Sequence, residues 1–319
     1  MITYLSNASK EWKENFEIFK KIIKKEDFDL VIGDGTYEID IGMMKEPEIK
    51  KAPFVMIYDF IGTDAIGNNP VDRLKAYMWN RVWSKAYKRG LVPAFDLALF
   101  LGEEEDIPNK KFGFMLPNRR EWGKALCTFV GNILRFDPSE YADKDRVRAK
   151  LGYGNEPLII CSIGGTSIGK VLLELCGNAC MIIRDDIPDL RMILVCGPRL
   201  STKSLKVPPE VEIRGYIPAL YEHFAVSDLT IVQGGGTSTL ELTALRRPFL
   251  YFPLEGHFEQ AHVAEILTRR GAGVRMLYSK TTPTSLAKEV MANIGKGVTY
   301  APISTDGAQK AAQLITRLL

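Results

Sequence analysis

IVQGGGTSTLELTALRRPFLYFP, residues 231–253, is the stretch on which the fold turns. An apolar run ends in Gly234, Gly235 and Gly236. Thr237, Ser238 and Thr239 follow, then a segment of helical spacing with Glu241, then a second apolar run. The order is strand, tight turn, helix start, strand. Glycines let a ligand approach the backbone, and the free N–H groups of a helix start attract anions. A carboxylate one turn into that helix can accept hydrogen bonds from sugar hydroxyls. The segment predicts a site for a phosphorylated, sugar-bearing ligand.

The flanking sequence repeats the pattern. PLIICSIGG (157–165), LRMILVCG (190–197), LTIVQGG (229–235) and PFLYFP (248–253) are short, bulky strands. Helical segments at 166–184, 218–226, 237–246 and 258–270 separate or follow them, and 281–294 and 307–319 close the chain as helices. Strands alternating with helices imply right-handed βαβ units and a parallel sheet. Ligands bind such sheets at the carboxyl ends of the strands.

The first half is less regular. Residues 8–26 predict an amphipathic helix with Trp12, Phe16, Phe19 and Ile23 on one face. Strand-like runs are FDLVIGDG (28–35), APFVMIYDF (52–60), FDLALFLG (95–102), FGFML (112–116) and TFVGNIL (128–134). Asn69-Pro70 starts a helix that runs to about Arg89, before Gly90. The polar stretch 135–156 reads as a linker with a short helix. The expected class is α/β, with one Rossmann-like domain over 1–135, a linker over 136–156 and a second Rossmann-like domain over 157–319 that includes the closing helix.

Composition narrows the function. A chain of 319 residues, 46% hydrophobic and 25% charged, fits a two-domain globular protein. A net charge of +3 is too weak to argue for nucleic acid. The five cysteines form no CxxC pair. Cys161 and Cys196 lie in strand-like runs as core residues, and Cys176 and Cys180 have no His nearby for a metal site. The first residues lack the apolar core of a signal peptide, and no apolar stretch approaches the roughly 20 residues that span a bilayer. A cytoplasmic location is expected.

SIGGTSIGK (162–170) follows a strand and opens a helix, so Gly164, Gly165, Thr166 and Ser167 can meet a phosphate. It is neither GxGxxG nor GxxxxGK[ST], which disfavours a dinucleotide or Walker-type loop. Q-G-G-G-T-S-T-L-E (233–241) resembles the UDP-glycosyltransferase donor signature H-C-G-W-N-S-T-L-E, and also the S-G-A-L-T-x-x-E segment of MurG-type transferases. FPLEGHFEQAHVAE (252–265) stands at the matching distance. GYIPALYEHFAVSDLTI (215–231) resembles the family's run from the base-binding loop into the next helix and strand. The similarity covers about residues 128–300 and implies the carboxyl-terminal half of a GT-B glycosyltransferase.

The resemblance implies roles. Gly164, Gly165 and Thr166 would line the diphosphate, and backbone near Tyr216 and Ile217 would hold the base. Gly235, Gly236, Thr237, Ser238 and Thr239 would meet phosphate at the helix start. Glu241 would bind the ribose, Glu259 and Gln260 the sugar, and His257 lies in the sugar loop. Gln233 replaces the His that opens the plant-type signature. Arg199 is a candidate for the missing charge, while Arg246 and Arg247 equally suit a solvated helix end.

A GT-B amino-terminal domain begins with a strand and a glycine-rich loop that commonly carries a catalytic His. Here the chain joins partway through that domain, so the domain is expected to be shortened. FDLVIGDG resembles the family's strand ending in the Asp that supports the His. Asp34 takes that place without a His partner, since His223, His257 and His262 all lie in the second half. His223 and His262 read as helix-surface residues. An inverting transfer needs a general base. Asp34 and Asp59 are the candidates, with a plain turn role as the alternative. The helix near 71–89 carries Trp79, Trp83 and Tyr87 on one stripe amid Arg73, Lys75, Arg81, Lys85, Lys88 and Arg89. That stripe suits a core face, or docking on a membrane surface as in MurG-type enzymes.

The expected function is metal-independent, inverting transfer of a sugar from a nucleotide-diphosphate donor, UDP-sugar first, to an unspecified acceptor, without a cofactor. One alternative is a non-catalytic or split-enzyme donor-binding subunit. A UDP-sugar 2-epimerase is another, disfavoured by the histidine-poor first half. A partner chain, a homo-oligomer, a longer gene product and peripheral membrane association stay open; nucleic acid is not an expected partner.

Overall fold

In the computed structural model, which describes residues 2–65, 69–88, 94–165 and 168–319, the chain divides into two units. One comprises 1–134 with 304–319, the other 135–303.

Alternation along the strands builds the first unit. β1 (Val31–Asp34), β2 (Phe54–Tyr58), β3 (Leu97–Leu101) and β4 (Thr128–Gly131) form a parallel sheet in that order. Successive side chains of a strand point to opposite faces. Phe54, Met56 and Tyr58 therefore share one face with Ala98 and Phe100, while Val55, Leu99 and Val130 share the other. The first face packs against α1 (Ile2–Lys25), α2 (Tyr37–Lys45) and α4 (Arg119–Leu126) through Phe16, Met43 and Trp122. The second is covered by the last helix, α11 (Gly307–Thr316), through Ala311, Leu314 and Ile315. α3 (Pro70–Lys88) connects β2 to β3.

The boundaries differ from the sequence expectation at both ends of the second domain. The closing helix joins the first unit, because its apolar side covers a sheet face that would otherwise be wet. Gly307 sits where an added Cβ would meet the Asn132 carbonyl oxygen at 2.6 Å, and Asn132 donates to Ser304 O at 3.1 Å. The stretch expected as linker belongs to the second unit. Its helix α5 (Lys144–Lys150) carries Arg148, which is buried and donates to the carbonyls of Gly154, Val226 and Glu156.

FGFML (112–116) is not a strand. Met115 has a left-handed φ of 58°, and Lys111 and Asn118 close the loop as an isolated antiparallel bridge. Phe112 packs inward while Phe114 is 81% exposed.

The second unit is a six-stranded parallel sheet in the order β10-β9-β8-β5-β6-β7. Its strands are β5 (Leu158–Ser162), β6 (Arg191–Val195), β7 (Glu212–Arg214), β8 (Leu229–Gln233), β9 (Phe249–Phe252) and β10 (Val274–Arg275). Both faces are covered, so β5, β8 and β9 are buried throughout, while the edge strands β7 and β10 are partly exposed. α6 (Lys170–Asp186) and α10 (Pro283–Asn293) pack on the face of Ile159, Cys161, Leu194 and Ile231. α7 (Leu220–Val226), α8 (Gly236–Ala244) and α9 (Phe258–Arg270) pack on the face of Leu158, Ile160, Val195 and Val232. All five cysteines are buried and free. His223, expected on a helix surface, is instead buried and paired through Nδ1 with the Tyr153 hydroxyl. Burial lowers its pKa. Among the described residues, no helix is long and apolar enough to cross a membrane.

Candidate functional site

The strand order of the second unit defines one crevice. The chain starts at β5, builds outward through β6 and β7, then returns beside β5 with β8 and continues through β9 to β10. The turns after β5 and β8 therefore leave the sheet on either side of a topological switch point, where open α/β sheets bind ligands. These are the two glycine turns that the sequence singles out.

Their backbone is shaped for close approach. Gly164 has φ 72° and Gly197, after β6, has φ 71°. A Cβ on Gly197 would collide with the Gly164 carbonyl oxygen, so the two turns pack with no room for a side chain. Gly234 is equally constrained: its Cβ would stand 2.9 Å from Pro253 Cα, beyond β9. Nothing lies within 4 Å of a Cβ built on Gly165 or Gly235, so the outer side of both turns is open.

α8 starts at this crevice. Its N-cap is Gly235, in extended conformation, with no side-chain cap. The first-turn N–H groups of a helix have no intrahelical partner. Thr237 is exposed and Ser238 half-buried. Thr239 differs from expectation: it is buried, and its hydroxyl donates to Gly235 O at 2.8 Å. A hydroxyl so committed braces the turn and does not point at a ligand. Gln233, the last residue of β8, is buried, and its Nε2 has no hydrogen-bond partner among the described residues. Its Oε1 lies 3.2 Å from the place of a Cβ on Gly169, the N-cap of α6. The side chain thus spans from the β8 turn toward the start of α6.

Glu241, on the second turn of α8, is buried and does not stand alone. Arg135 Nε donates to its Oε1 at 3.0 Å, and the Arg135 guanidinium lies over the Tyr221 ring at 4.9 Å. Phe136 stacks on Tyr221 at 4.4 Å. Burial pushes the Glu241 carboxyl above the usual range, and Arg135 pulls it back. Arg135 carries no motif of its own, and sequence reading missed it. The only signal was its place at the junction RFDP.

The remaining predicted residues lie on neighbouring strand ends. A Cβ on Gly236 would be 3.7 Å from Val263 of α9. Glu259, one turn before Val263, shares that helix side and is exposed. Gln260 Oε1 accepts from Leu254 N–H at 2.7 Å, so its carbonyl holds the loop and only its amide protons are free for a ligand. His257 is the N-cap of α9, and its buried Nδ1 has no partner among the described residues. Tyr216 is 61% exposed and Ile217 half-buried in the loop after β7, which is tied to the β6 loop by Gly197 N–H on Gly215 O at 3.3 Å. Arg199 is exposed in that β6 loop. Thr166 and Ser167 lie outside the described residues.

In the first unit, Asp34 ends β1 and Asp59 follows β2. Both are exposed at the same edge of adjacent parallel strands. The aromatic stripe of α3 is turned inward: Trp83 packs on Tyr58 at 6.1 Å and Trp79 on Trp12 at 4.8 Å. The exposed stripe is Val71, Leu74, Met78 and Val82. The side chains of Lys85, Tyr87, Lys88 and Arg89 lie outside those described.

Two parallel-sheet units, with glycine turns and an uncapped helix start at the switch point of the second, define the GT-B class. The chain belongs to glycosyltransferase family 28: residues 159–318 match the family's carboxyl-terminal domain. An uncharacterized glycosyltransferase of Methanopyrus kandleri is 26% identical over 193 residues, 60% of this chain and 54% of that protein. The UDP-N-acetylglucosamine–N-acetylmuramyl-(pentapeptide) pyrophosphoryl-undecaprenol N-acetylglucosamine transferase of Carboxydothermus hydrogenoformans is 28% identical over 143 residues, 42% of this chain and 37% of that enzyme. The chain thus spans about half or less of the length of these two relatives. Among solved structures, a spinosyn rhamnosyltransferase complexed with thymidine diphosphate superposes with a TM-score of 0.53 and 16% identity, over 98% of this chain and 75% of that one. That likeness concerns the fold.

Proposed function

We propose that the second unit binds a nucleoside diphosphate sugar, a UDP-sugar first, and that the chain transfers the sugar, a hexose, to an acceptor hydroxyl with inversion. The diphosphate leaving group needs a site that stabilises negative charge as it develops. Preorganised N–H and hydroxyl donors at a helix start supply such a site without a metal or cofactor. The observation that carries this reading is the Gln233 amide, buried at the crevice with a donor that has no partner among the described residues. A buried donor without a partner costs about 1–3 kcal/mol, and a phosphate oxygen would relieve that cost. Names of two similar proteins point the same way, one acting with UDP-N-acetylglucosamine and one complexed with thymidine diphosphate. Glu259 and the Gln260 amide would meet the sugar. The exposed apolar stripe of α3 suits contact with a membrane surface.

Calorimetric titration with UDP, thymidine diphosphate and inorganic pyrophosphate tests the donor site. UDP should bind most tightly. Gln233→Leu should weaken UDP at least about tenfold, the loss of one charge-assisted hydrogen bond, while leaving the unliganded protein no less stable. No binding of either nucleotide, or an unchanged affinity in Gln233→Leu, would defeat the reading. Binding without release of sugar to any acceptor or to water would leave a donor-binding subunit instead of a transferase.

A further inference from the structure

Between α1, α2, α3 and the sheet of the first unit lies a cavity of about 430 Å³ that the donor-site reading leaves unused. The sequence has four tryptophans, and all of them, Trp12, Trp79, Trp83 and Trp122, line this one space. Tyr58 lines it too. The rings brace one another: Trp12 meets Trp79 edge-on at 4.8 Å, and Trp122 stands perpendicular to Tyr58 at 6.0 Å. Rings held by their neighbours form a pre-shaped wall. The volume falls in the range of about 300–1,000 Å³ typical of small-molecule sites. Apolar walls hold water poorly, and protein interiors seldom leave such space unfilled.

One carboxyl faces this apolar space. Asp40, on α2, lines the cavity, and its Oδ1 is buried with no hydrogen-bond partner among the described residues. Its other support is the backbone N–H of Ala94. Burial pushes its pKa up to about 6, against that N–H. The titratable groups beside it are Tyr37 and Tyr58; Lys45 is exposed at the edge and stays hydrated. A buried carboxylate with an idle oxygen favours a ligand that donates a hydrogen bond or carries positive charge. Aromatic faces around it add attraction for a cation.

We propose that this cavity binds an apolar, ring-bearing small molecule with one hydrogen-bond donor, a hydroxyl or a protonated amine, accepted by Asp40. The site lies within the first unit, and its binding does not depend on nucleotide.

Adamantyl compounds test it, since they are apolar, of suitable size and transparent where tryptophan absorbs. The intact chain would be titrated at pH 8 with 1-adamantanol, 1-aminoadamantane and 1-adamantanecarboxylate, followed by tryptophan emission. The alcohol and the amine should give saturable changes, with the carboxylate at least about tenfold weaker. The stronger of the first two identifies which donor the site prefers. Asp40→Asn should weaken the amine at least about tenfold and remove the bias against the carboxylate. Val82→Phe, on the exposed flank of the cavity, should block all three. UDP binding should persist in both variants, which separates failure here from failure of the donor reading. No saturable change, equal affinities for all three compounds, or a bias that survives Asp40→Asn would overturn the proposal.

Discussion

Asp40 and Glu241 are carboxyls that burial pushes upward, and they differ in what faces them. Glu241 has Arg135 at 3.0 Å, whereas Asp40 lines an apolar cavity and its buried Oδ1 has no hydrogen-bond partner among the described residues. For Asp40 the folded pKa of about 6 exceeds the ordinary aspartate value of 3.8, so the folded state holds the proton more tightly. Its contribution to stability is fully present below about pH 4 and is lost as pH rises through about 6. A shift of this size sets a ceiling of about 3 kcal/mol, reduced in practice by partial solvent access. Asp40→Asn should therefore match the wild type at pH 4 and exceed it by about 1–2 kcal/mol at pH 8. Denaturant titrations at pH 4, 6 and 8 measure this, and a difference that does not grow with pH would refute it. At this scale the sequence was legible where chemistry follows chain order. Gly234 to Glu241 announce a turn and a helix start because their roles lie within a few residues. Arg135 and the Asp40 environment were not legible, because the partner of Glu241 stands 106 residues away and the walls around Asp40 come from α1, α2, α3, α4, β2 and the loops beside them.

α11 shows what local pattern can and cannot tell. Its apolar spacing, Ala311, Leu314, Ile315 and Leu318, predicts an amphipathic helix but not which sheet it covers. It returns to the first unit, where Ala311 is 5% exposed against Val55, Leu99 and Val130. Ala311→Asp would place an unpaired charge on that face, which costs about 3 kcal/mol or more. The tryptophan-monitored unfolding free energy should fall accordingly, and a value within about 0.5 kcal/mol of wild type would show that α11 leaves this face in solution. The long strands were legible because buried parallel strands are continuous apolar runs. β7, with three residues, and β10, with two, are too short to produce such a run. FGFML has strand composition, yet Met115 at φ 58° turns the chain there, a choice made by packing Phe112 inward.

Each unit has its own hydrophobic core, and the four tryptophans belong to the first. This division lets two signals separate the units. Tryptophan emission follows the first, while far-ultraviolet circular dichroism follows both. A ligand that binds only the native second unit stabilises that unit by mass action, by about 2.7 kcal/mol at a hundred times its Kd. UDP at that concentration should raise the circular dichroism transition of the second unit and leave the tryptophan transition in place. An adamantyl amine should do the reverse. Both signals moving together under UDP would mean that the units unfold as one cooperative body. Movement of the tryptophan transition alone would place the nucleotide in the first unit, against the switch-point crevice between β5 and β8.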